Sequence, residues 1–491
     1  MKKVVVIGAG IAGLSAAIYA QRSGFDVTIC EQHSMAGGMC TSWKRKGYFF
    51  EGAVHWLTGS DPKTECYQLW KETGALNDTV KVFMHDVFYA VEWEGRTVNL
   101  YRSIEKTAQE FLALSPTDAP MIRRLVKDVR AFSGMHMPIF DVKNVKTDYP
   151  RRMNFGTILK MLPAFPLMGK LSNTSNKDYA EQFSHPAIRQ LLRYLGDEYS
   201  AVSLIATLAS LDTGDGGYPE GGSLAMVGRM RKTFEELGGK LLLSTKVKKV
   251  NIENNAVSGV TLESGIIDAD AVIVSQETIA ALDSLFGKPL SDKWLTDLRI
   301  NTKSAVCTFI GIGIKAKITQ TPIPLWELDE PIVHGGITVS ALSFNNYADY
   351  EYSPPGCTTL TTALMGDTYE FWKKAKEEGR YNEEKQRLAD QISRAVCKKF
   401  PQAEGNIEVI DIATPVTYER YTGAHHGSWM SISGVGEKMK MYPGYLKNVK
   451  GLYFAGHRLM PPGGLPVAVD SGRRAAQMVC RQFKVLFKSR P

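Results

Sequence analysis

The sequence has few cysteines, no long apolar run and little excess of charge of either sign. Its seven cysteines are an odd number without a CxxC spacing, which argues against a disulfide framework and against a structural zinc site. No window offers the roughly 20 uninterrupted apolar residues of a transmembrane helix. The net charge of +8 is spread along the chain and does not form a nucleic-acid footprint. We therefore expect no metal, no nucleic-acid partner and a location in the reducing cytoplasm.

The composition is that of a globular protein with more than one domain. About 44 % of the 491 residues are apolar and 22 % are charged, which excludes general disorder. At roughly 100 to 200 residues per domain, this length predicts two to four structural units. Such a chain is long enough to enclose a bulky cofactor.

The first motif is a strand, a glycine-rich turn and a helix. Residues 3–7 predict a buried parallel strand. Gly8, Gly10 and Gly13 follow with GxGxxG spacing, and Glu31 ends the next predicted strand, residues 25–30. These glycines permit a tight turn, close approach of a pyrophosphate and close helix packing, while the acid can accept ribose hydroxyls. The N-terminus also resembles a secretory signal, but this spacing favours a dinucleotide site.

Two further segments extend this site. A glycine doublet, Gly37 and Gly38, precedes a hairpin-like stretch at residues 47–56. An NAD dehydrogenase would not need such a doublet. Near the C-terminus, residues 450–456 predict a strand ending in glycine, and residues 461–476 predict a loop that enters a helix. The N-terminus of that helix could stabilise negative charge on a bound ring.

These motifs resemble the FAD-dependent phytoene desaturase, carotenoid isomerase and retinol saturase family of the amine-oxidase-type flavoproteins. The similarity rests on residues 8–14, 47–59 and 218–230 and on the terminal GLYFAGH and GGLPVAVDSGRRAA segments, in the family's order. It implies an α/β fold with a Rossmann-type FAD-binding domain, in which helices pack on a parallel sheet. A discontinuous α+β substrate domain with a mixed sheet would complete it. The implied FAD-binding parts are residues 1–80, 216–289 and 435–491, and the implied substrate or lid parts are residues 81–215 and 290–434.

The resemblance also implies which residues would contact the FAD. Met39 stands where the superfamily often has arginine, and His457 stands where it usually has an acid; a histidine can still donate to a ribityl hydroxyl. The backbone of Val247 is expected beside the adenine. The full predicted FAD-binding set is Gly8, Gly10, Ile11, Ala12, Gly13, Glu31, Gln32, Gly37, Gly38, Met39, His55, Val247, Gly456, His457, Gly464, Leu465 and Val467.

The substrate half lacks nucleotide motifs. We expect residues 80–215 to be helical with loops, and residues 305–314 and 358–365 to be strands of a mixed sheet above the flavin. Residues 151–171 are apolar, basic at intervals and interrupted by prolines. This segment could lie in the headgroup region of a membrane, or it could be a lid helix over a substrate tunnel. The two alternatives are compatible.

Flavin chemistry at a carbon–carbon bond needs hydride transfer at flavin N5 and a proton donor or acceptor on the other carbon. The predicted catalytic candidates are His55, His425 and His426. Because neighbouring residues of an extended chain face opposite ways, at most one of the histidine pair would point inward. Further candidates for the proton are Tyr199, Tyr418, Tyr421 and Glu198.

The sequence thus predicts an FAD-dependent oxidoreductase that saturates, desaturates or isomerises double bonds of an extended apolar substrate, such as a carotenoid, retinoid or isoprenoid. Two alternatives stay open: a flavin amine oxidase that acts on a C–N bond, and a non-catalytic FAD-bound lipid-binding protein. No second GxGxxG follows a predicted strand. The electron partner is therefore expected to be a transient NAD(P)H, a quinone or oxygen, and membrane contact would be peripheral.

Overall fold

The computed structural model describes residues 1–137, 139, 141–151, 155–432, 434–437 and 440–490. Of the predicted membrane segment, residues 152–154 lie outside the described residues. The described chain forms 21 strands: β1 (Lys3–Ile7), β2 (Asp26–Cys30), β3 (Ser42–Arg45), β4 (Tyr48–Glu51), β5 (Val82–Phe83), β6 (Val87–Trp93), β7 (Arg96–Tyr101), β8 (Tyr218–Pro219), β9 (Lys240–Leu242), β10 (Lys249–Glu253), β11 (Ala256–Thr261), β12 (Ile266–Asp268), β13 (Ala271–Val274), β14 (Lys303–Ala305), β15 (Cys307–Ile314), β16 (Ile323–His334), β17 (Ile337–Asn346), β18 (Thr358–Met365), β19 (Ile407–Ala413), β20 (Met430–Ile432) and β21 (Leu452–Phe454).

Sixteen α-helices accompany these strands in the described part of the chain: α1 (Ile11–Arg22), α2 (Glu65–Glu72), α3 (Ile104–Leu114), α4 (Ala119–Phe132), α5 (Phe155–Met161), α6 (Phe165–Ser172), α7 (Asn176–Ala180), α8 (Pro186–Leu192), α9 (Ala201–Asp212), α10 (Gly222–Glu236), α11 (Thr278–Ser284), α12 (Lys293–Asn301), α13 (Tyr369–Glu377), α14 (Tyr381–Lys399), α15 (Pro415–Thr422) and α16 (Leu465–Phe483).

The cofactor half is built on a five-stranded parallel sheet in the order β21-β13-β1-β2-β9. Strand β1 is buried on both faces because its side chains alternate between two cores. Val4 and Val6 pack with α1 and α16, whereas Val5 and Ile7 pack with the antiparallel β10-β11-β12 sheet. This double burial explains the uninterrupted run of β-branched residues in β1.

The second half is built on a seven-stranded mixed sheet in the order β19-β15-β18-β17-β16-β6-β7. Helices α13 and α14 share an apolar core with it. A separate core holds helices α3, α4 and α6 to α9 together with β6 and β7. The predicted fold class, a parallel FAD-type sheet with a second mixed sheet, is confirmed.

The expectation of helices and loops throughout residues 80–215 is wrong at its beginning. Strands β6 and β7 form an antiparallel hairpin and join the mixed sheet through β16. The turn between them has positive φ at Glu94 and Gly95, which suits a two-residue hairpin.

We propose the sequence-derived division as the domain organisation, with residues 1–80, 216–289 and 435–491 in one domain and residues 81–215 and 290–434 in the other. The two sheets fall on either side of this division. The short β3–β4 pairing lies within the first domain, whereas the short β5–β8 pairing joins the two domains.

Candidate active site

The turn from β1 into α1 has the geometry that its glycines predict. Gly8 has a φ of +101°, a conformation that favours glycine. A Cβ on Gly13 would collide with the Gly8 carbonyl, so Gly13 allows α1 to pack against the turn. Gly10 has ordinary extended geometry and precedes α1 without a side-chain cap in the described chain. The first amides of α1 are therefore left free for an anionic ligand.

Glu31 stands at the end of β2 and faces the same cavity as this turn. Its carboxylate oxygens accept hydrogen bonds from the Ala9 amide at 2.7 Å and from the His33 amide at 2.8 Å. Burial raises the pKa of this carboxyl, and the two amides oppose the shift. Each oxygen keeps lone-pair capacity for a further donor. Glu31 can thus accept hydroxyl groups of a bound ribose.

The glycine doublet lies directly against the first turn. Gly37 forms a parallel bridge with Gly10, and the Gly37 amide donates to the Ala9 carbonyl at 2.9 Å. Gly37 and Gly38 both have positive φ. Together with Met39 they line the cavity, so the two glycine segments form one wall.

The C-terminal segment contributes a further part of the cavity lining. Gly456 follows β21, and its amide donates to Ser471 Oγ at 2.9 Å. Gly464 has a φ of +88° and precedes α16, which has no side-chain cap in the described chain. Gly464, Leu465 and Val467 line the cavity. A second uncapped helix N-terminus therefore faces the same space as the first.

His457 is a half-buried, neutral imidazole in this segment. Burial, assisted by the neighbouring Arg458 charge, lowers its pKa to about 4. Its Nδ1 has no hydrogen-bond partner among the described residues. A neutral ring can donate through one nitrogen, which fits the predicted hydrogen bond to a ribityl hydroxyl.

One continuous cavity of about 1960 Å³ connects these segments with the mixed sheet. All of the predicted FAD-contact residues line it except Gly13, which acts in helix packing. Gln32 and Val247 lie on the same wall as Glu31. Ligand pockets commonly measure about 300–1,000 Å³, so this cavity has room for a dinucleotide and a second large molecule.

Two uncapped helix N-termini, an acceptor carboxylate and a glycine cradle therefore fit an FAD. Residues in these positions would hold its phosphates, a ribose and one end of its ring system. Among the described residues, no group of three His, Cys, Asp or Glu side chains could hold a metal ion.

His55 lies where the cavity passes from the glycine segments to the mixed sheet. Its side chain is exposed to the cavity, and desolvation by the surrounding protein lowers its pKa to about 4. Asn345 Nδ2 lies 3.2 Å from His55 Nδ1, and Tyr347 Oη lies 3.5 Å from the same nitrogen. His55 is therefore neutral near pH 7.

The expectation that His425 and His426 lie on an extended chain is wrong. They form a 3₁₀ turn, in which His426 has a φ of +53°. Their rings stack at 3.9 Å, and Tyr369 stacks on His426 at 4.3 Å. His425 lines the cavity, whereas His426 does not. The catalytic roles of both stay predictions, and the geometry favours His425.

Of the other candidates for the proton donor or acceptor, some line the cavity and one does not. Glu198, Tyr199 and Tyr418 line the cavity, but Tyr421 does not. Tyr421 instead packs against the His33 ring at a centroid distance of 5.0 Å.

Sequence reasoning missed two parts of the cavity wall. One is the buried ion pair between Arg458 and Glu277, in which Arg458 also donates to Ser304 Oγ at 3.0 Å. The other is a group of four interlocked rings that we call the aromatic wall: Trp56, Phe88, Tyr89 and Tyr194. Their centroids lie 4.2–6.2 Å apart. Because these residues are far apart in the chain, no local pattern could have joined them.

Comparison with known proteins places the chain in a family. The family model described as flavin containing amine oxidoreductase matches residues 11–480. The chain is 25 % identical to a lycopene-forming phytoene desaturase of Paracoccus sp. (strain N81106 / MBIC 01143), covering 97 % of each chain. It is 23 % identical to a 1-hydroxycarotenoid 3,4-desaturase of Flavobacterium sp. (strain P99-3), covering 98 % of this chain and 99 % of the relative. Among solved structures, a putrescine oxidase variant has a TM-score of 0.63 at 16 % identity, covering 97 % of this chain and 98 % of that one.

Proposed function

The chain belongs to the flavin-containing amine oxidoreductase family and is an FAD-dependent oxidoreductase, and we propose that it acts on carbon–carbon double bonds of an extended apolar, isoprenoid-like substrate. The observation that carries this proposal is the single cavity of about 1960 Å³. It joins the predicted FAD site to a long, largely apolar chamber under the mixed sheet.

The aromatic wall supports an apolar substrate. Its four rings meet edge to face or tilted, at centroid distances of 6.2 Å or less. Aromatic rings favour such edge-to-face and tilted arrangements when they pack against one another. They offer a smooth apolar surface for a chain or polyene.

The rest of the chamber agrees with this interpretation. Helix α9 presents Ser203, Ala206 and Thr207 to the cavity, at the spacing of one helix face. Strand β17 presents Val339 and Ala341 from the sheet side. These short side chains leave space between the helix and the sheet. The curated relatives with carotenoid desaturase names extend over nearly the whole chain, which also favours this substrate class over an amine.

The bound FAD would supply hydride transfer at its ring. We propose that the chain's own residues hold it as follows: the α1 N-terminus and Gly10 bind the phosphates, Glu31 binds a ribose, and the α16 N-terminus favours negative charge on the reduced ring. His55, with His425 and His426 as further candidates, would serve the proton side of the reaction. The remaining predicted contact residues would complete the FAD site.

We also propose a peripheral membrane contact at residues 151–171. The structure contains no described helix long and apolar enough to cross a membrane. Leu159, Leu162 and Phe165 are nevertheless about half exposed, on the short helices α5 and α6 and in the turn between them. Helix α6 packs against α9, whose other face lines the cavity. An apolar substrate could thus pass between a membrane and the chamber beside α9.

The proposal is tested by anaerobic titration of the flavin-loaded protein while the visible flavin absorbance is followed. The reagents are a carotenoid or isoprenoid substrate, NADPH, a quinone, and putrescine as a small amine. Bleaching by the isoprenoid, or bleaching by NADPH followed by recovery on addition of a polyene, is expected. Bleaching by putrescine alone would contradict the proposal and support an amine oxidase.

A further inference from the structure

The ring of His55 is held by two groups that meet at one nitrogen. Asn345 Nδ2 and Tyr347 Oη both approach Nδ1, at 3.2 and 3.5 Å. The other nitrogen, Nε2, makes no hydrogen bond to a side chain or backbone group in the part of the chain that the structure describes. The ring faces the cavity, so Nε2 is the nitrogen available to a ligand.

The other hydrogen bond of Tyr347 shows whether its hydroxyl donates to His55 Nδ1 or accepts from it. Thr361 Oγ1 donates to Tyr347 Oη at 3.4 Å, so the hydroxyl already accepts one hydrogen bond. Tyr347 is buried, and a buried hydroxyl proton needs an acceptor. Within the described residues, His55 Nδ1 is the acceptor in reach. Tyr347 therefore donates to Nδ1, as the amide of Asn345 does, and the single proton of the neutral ring must be on Nε2.

The strand that carries Asn345 adds a second, independent pattern. Ala341, Ser343 and Asn345 alternate along β17 with Leu342 and Phe344, which are buried in the sheet core, although all five residues reach the cavity. The cavity-facing row therefore changes from apolar to polar as it approaches His55.

We infer that Asn345 and Tyr347 are positioning residues that fix His55 as a neutral Nε2–H hydrogen-bond donor, directed at an oxygen atom on one end of an otherwise apolar substrate. This inference rests on the proposed function for the nature of the ligand, and on the contacts above for the tautomer. It makes His55 a neutral donor that recognises and polarises an oxygen, so that any proton it supplies to the reaction comes from Nε2 of the neutral ring and not from an imidazolium. A pure hydrocarbon would leave the donor without an acceptor, which disfavours its binding.

The tautomer is tested by ¹⁵N NMR of the flavin-loaded protein labelled at histidine. The His55 signals are identified by their loss in His55→Phe. We expect a protonated Nε2 and an unprotonated, hydrogen-bonded Nδ1. In the double variant Asn345→Leu/Tyr347→Phe, the signals should move toward a mixture of tautomers. The matched control is Ser343→Ala, which faces the cavity on the same strand without touching His55 and should leave the signals unchanged.

The recognition role is tested by binding of farnesol and of the hydrocarbon farnesene, presented in the same detergent micelles. The wild-type protein should prefer farnesol, and His55→Phe should reduce that preference roughly 3–10-fold, the usual worth of one neutral hydrogen bond. Equal preference in both proteins, or an Nδ1–H tautomer in the wild type, would overturn the inference. Failure to bind either compound would overturn the proposed substrate class and the recognition role with it, whereas the NMR signals would still decide the tautomer.

Discussion

At the scale of single residues, Gly10 and Gly13 separate the binding of the cofactor from the packing of the fold. A Cβ on Gly10 would lie 3.8 Å from the nearest atom, the Gly37 carbonyl oxygen, which is ordinary contact. A Cβ on Gly13 would collide with the Gly8 carbonyl. The two glycines of this motif are therefore needed for different reasons, Gly10 for cofactor binding and Gly13 for the packing of the fold.

This difference gives a matched pair of substitutions. Gly10→Ala should fold normally but weaken FAD binding by about tenfold or more, because the methyl group occupies the approach of the pyrophosphate. Gly13→Ala should lower the stability of the flavin-free protein, because helix α1 must move. Flavin content after purification and far-UV circular dichroism distinguish the two. A Gly10→Ala protein with full FAD affinity would show that this turn does not bind the phosphates.

His334 shows the cost of a buried polar ring outside the cavity. It is 4 % exposed and packs against Phe371 and Trp372. Neither ring nitrogen has a hydrogen-bond partner among the described residues. Burial, with a contribution from the Arg387 charge, lowers its pKa to about 4. An unfolded histidine titrates near a pKa of about 6.5.

We therefore expect His334→Phe to stabilise the protein by about 1 kcal/mol near neutral pH, because an unpaired buried polar group is removed. Between the folded and unfolded pKa values, the unfolded chain binds more protons, so stability falls as the pH falls from about 6.5 toward about 4. The gain from the substitution should accordingly be larger by about 1–2 kcal/mol at a pH of about 5. Denaturant unfolding at both pH values measures it, with exposed His136→Phe as control. An equal gain in the free energy of unfolding at both pH values would contradict a lowered pKa for the buried His334 ring.

At the scale of elements, the sequence predicted those strands and helices whose conformation is determined by neighbouring residues in the chain. Strand β1, helix α1, strand β2 and the strand preceding α16 all follow from short runs that end or begin at glycine. The β6–β7 hairpin was missed although its Glu94–Gly95 turn is local; its place in the mixed sheet depends on β16, more than two hundred residues later in the sequence. The same holds for the 3₁₀ turn at His425–Gly427, whose stacked rings are set by Tyr369 on another helix.

Helices α5 and α6 carry the membrane prediction. The variant Leu159→Ser/Leu162→Ser/Phe165→Ser should reduce binding to liposomes that contain anionic lipid by about tenfold or more, since each buried methylene contributes about 0.8 kcal/mol. Lys160 and Lys170 lie on the same helices. Because salt screens their attraction to anionic lipid, added salt should weaken the binding of the wild-type protein to these liposomes. Flotation with anionic and with neutral liposomes measures this.

The control for that experiment is Ile300→Ser, which removes an even more exposed side chain, 74 % exposed, from α12. It should leave liposome binding unchanged. If the wild type does not float with anionic liposomes, or if the control loses binding equally, α5 and α6 are not a membrane contact.

At the scale of the whole molecule, the site is an assembly of distant segments around one cavity. The motif residues of the cofactor half could be predicted because helix termini and glycine turns leave local signatures. The aromatic wall, the Arg458–Glu277 pair and the contacts of Asn345 and Tyr347 with His55 could not, since each joins residues that are distant in the sequence. The catalytic role of His55 stays a prediction; the structure places it on the cavity, where Asn345 and Tyr347 contact its ring.

The central claim is that the FAD site and the apolar chamber act together on a carbon–carbon double bond. The most direct measurement is mass spectrometry of an isoprenoid panel incubated with the flavin-loaded protein, once with NADPH and once with a quinone acceptor. The account predicts that at least one apolar polyene gains or loses two hydrogen atoms, or changes double-bond geometry at constant mass, and that His55→Phe slows this change. Unchanged isoprenoids, together with amine-dependent release of peroxide, would contradict it.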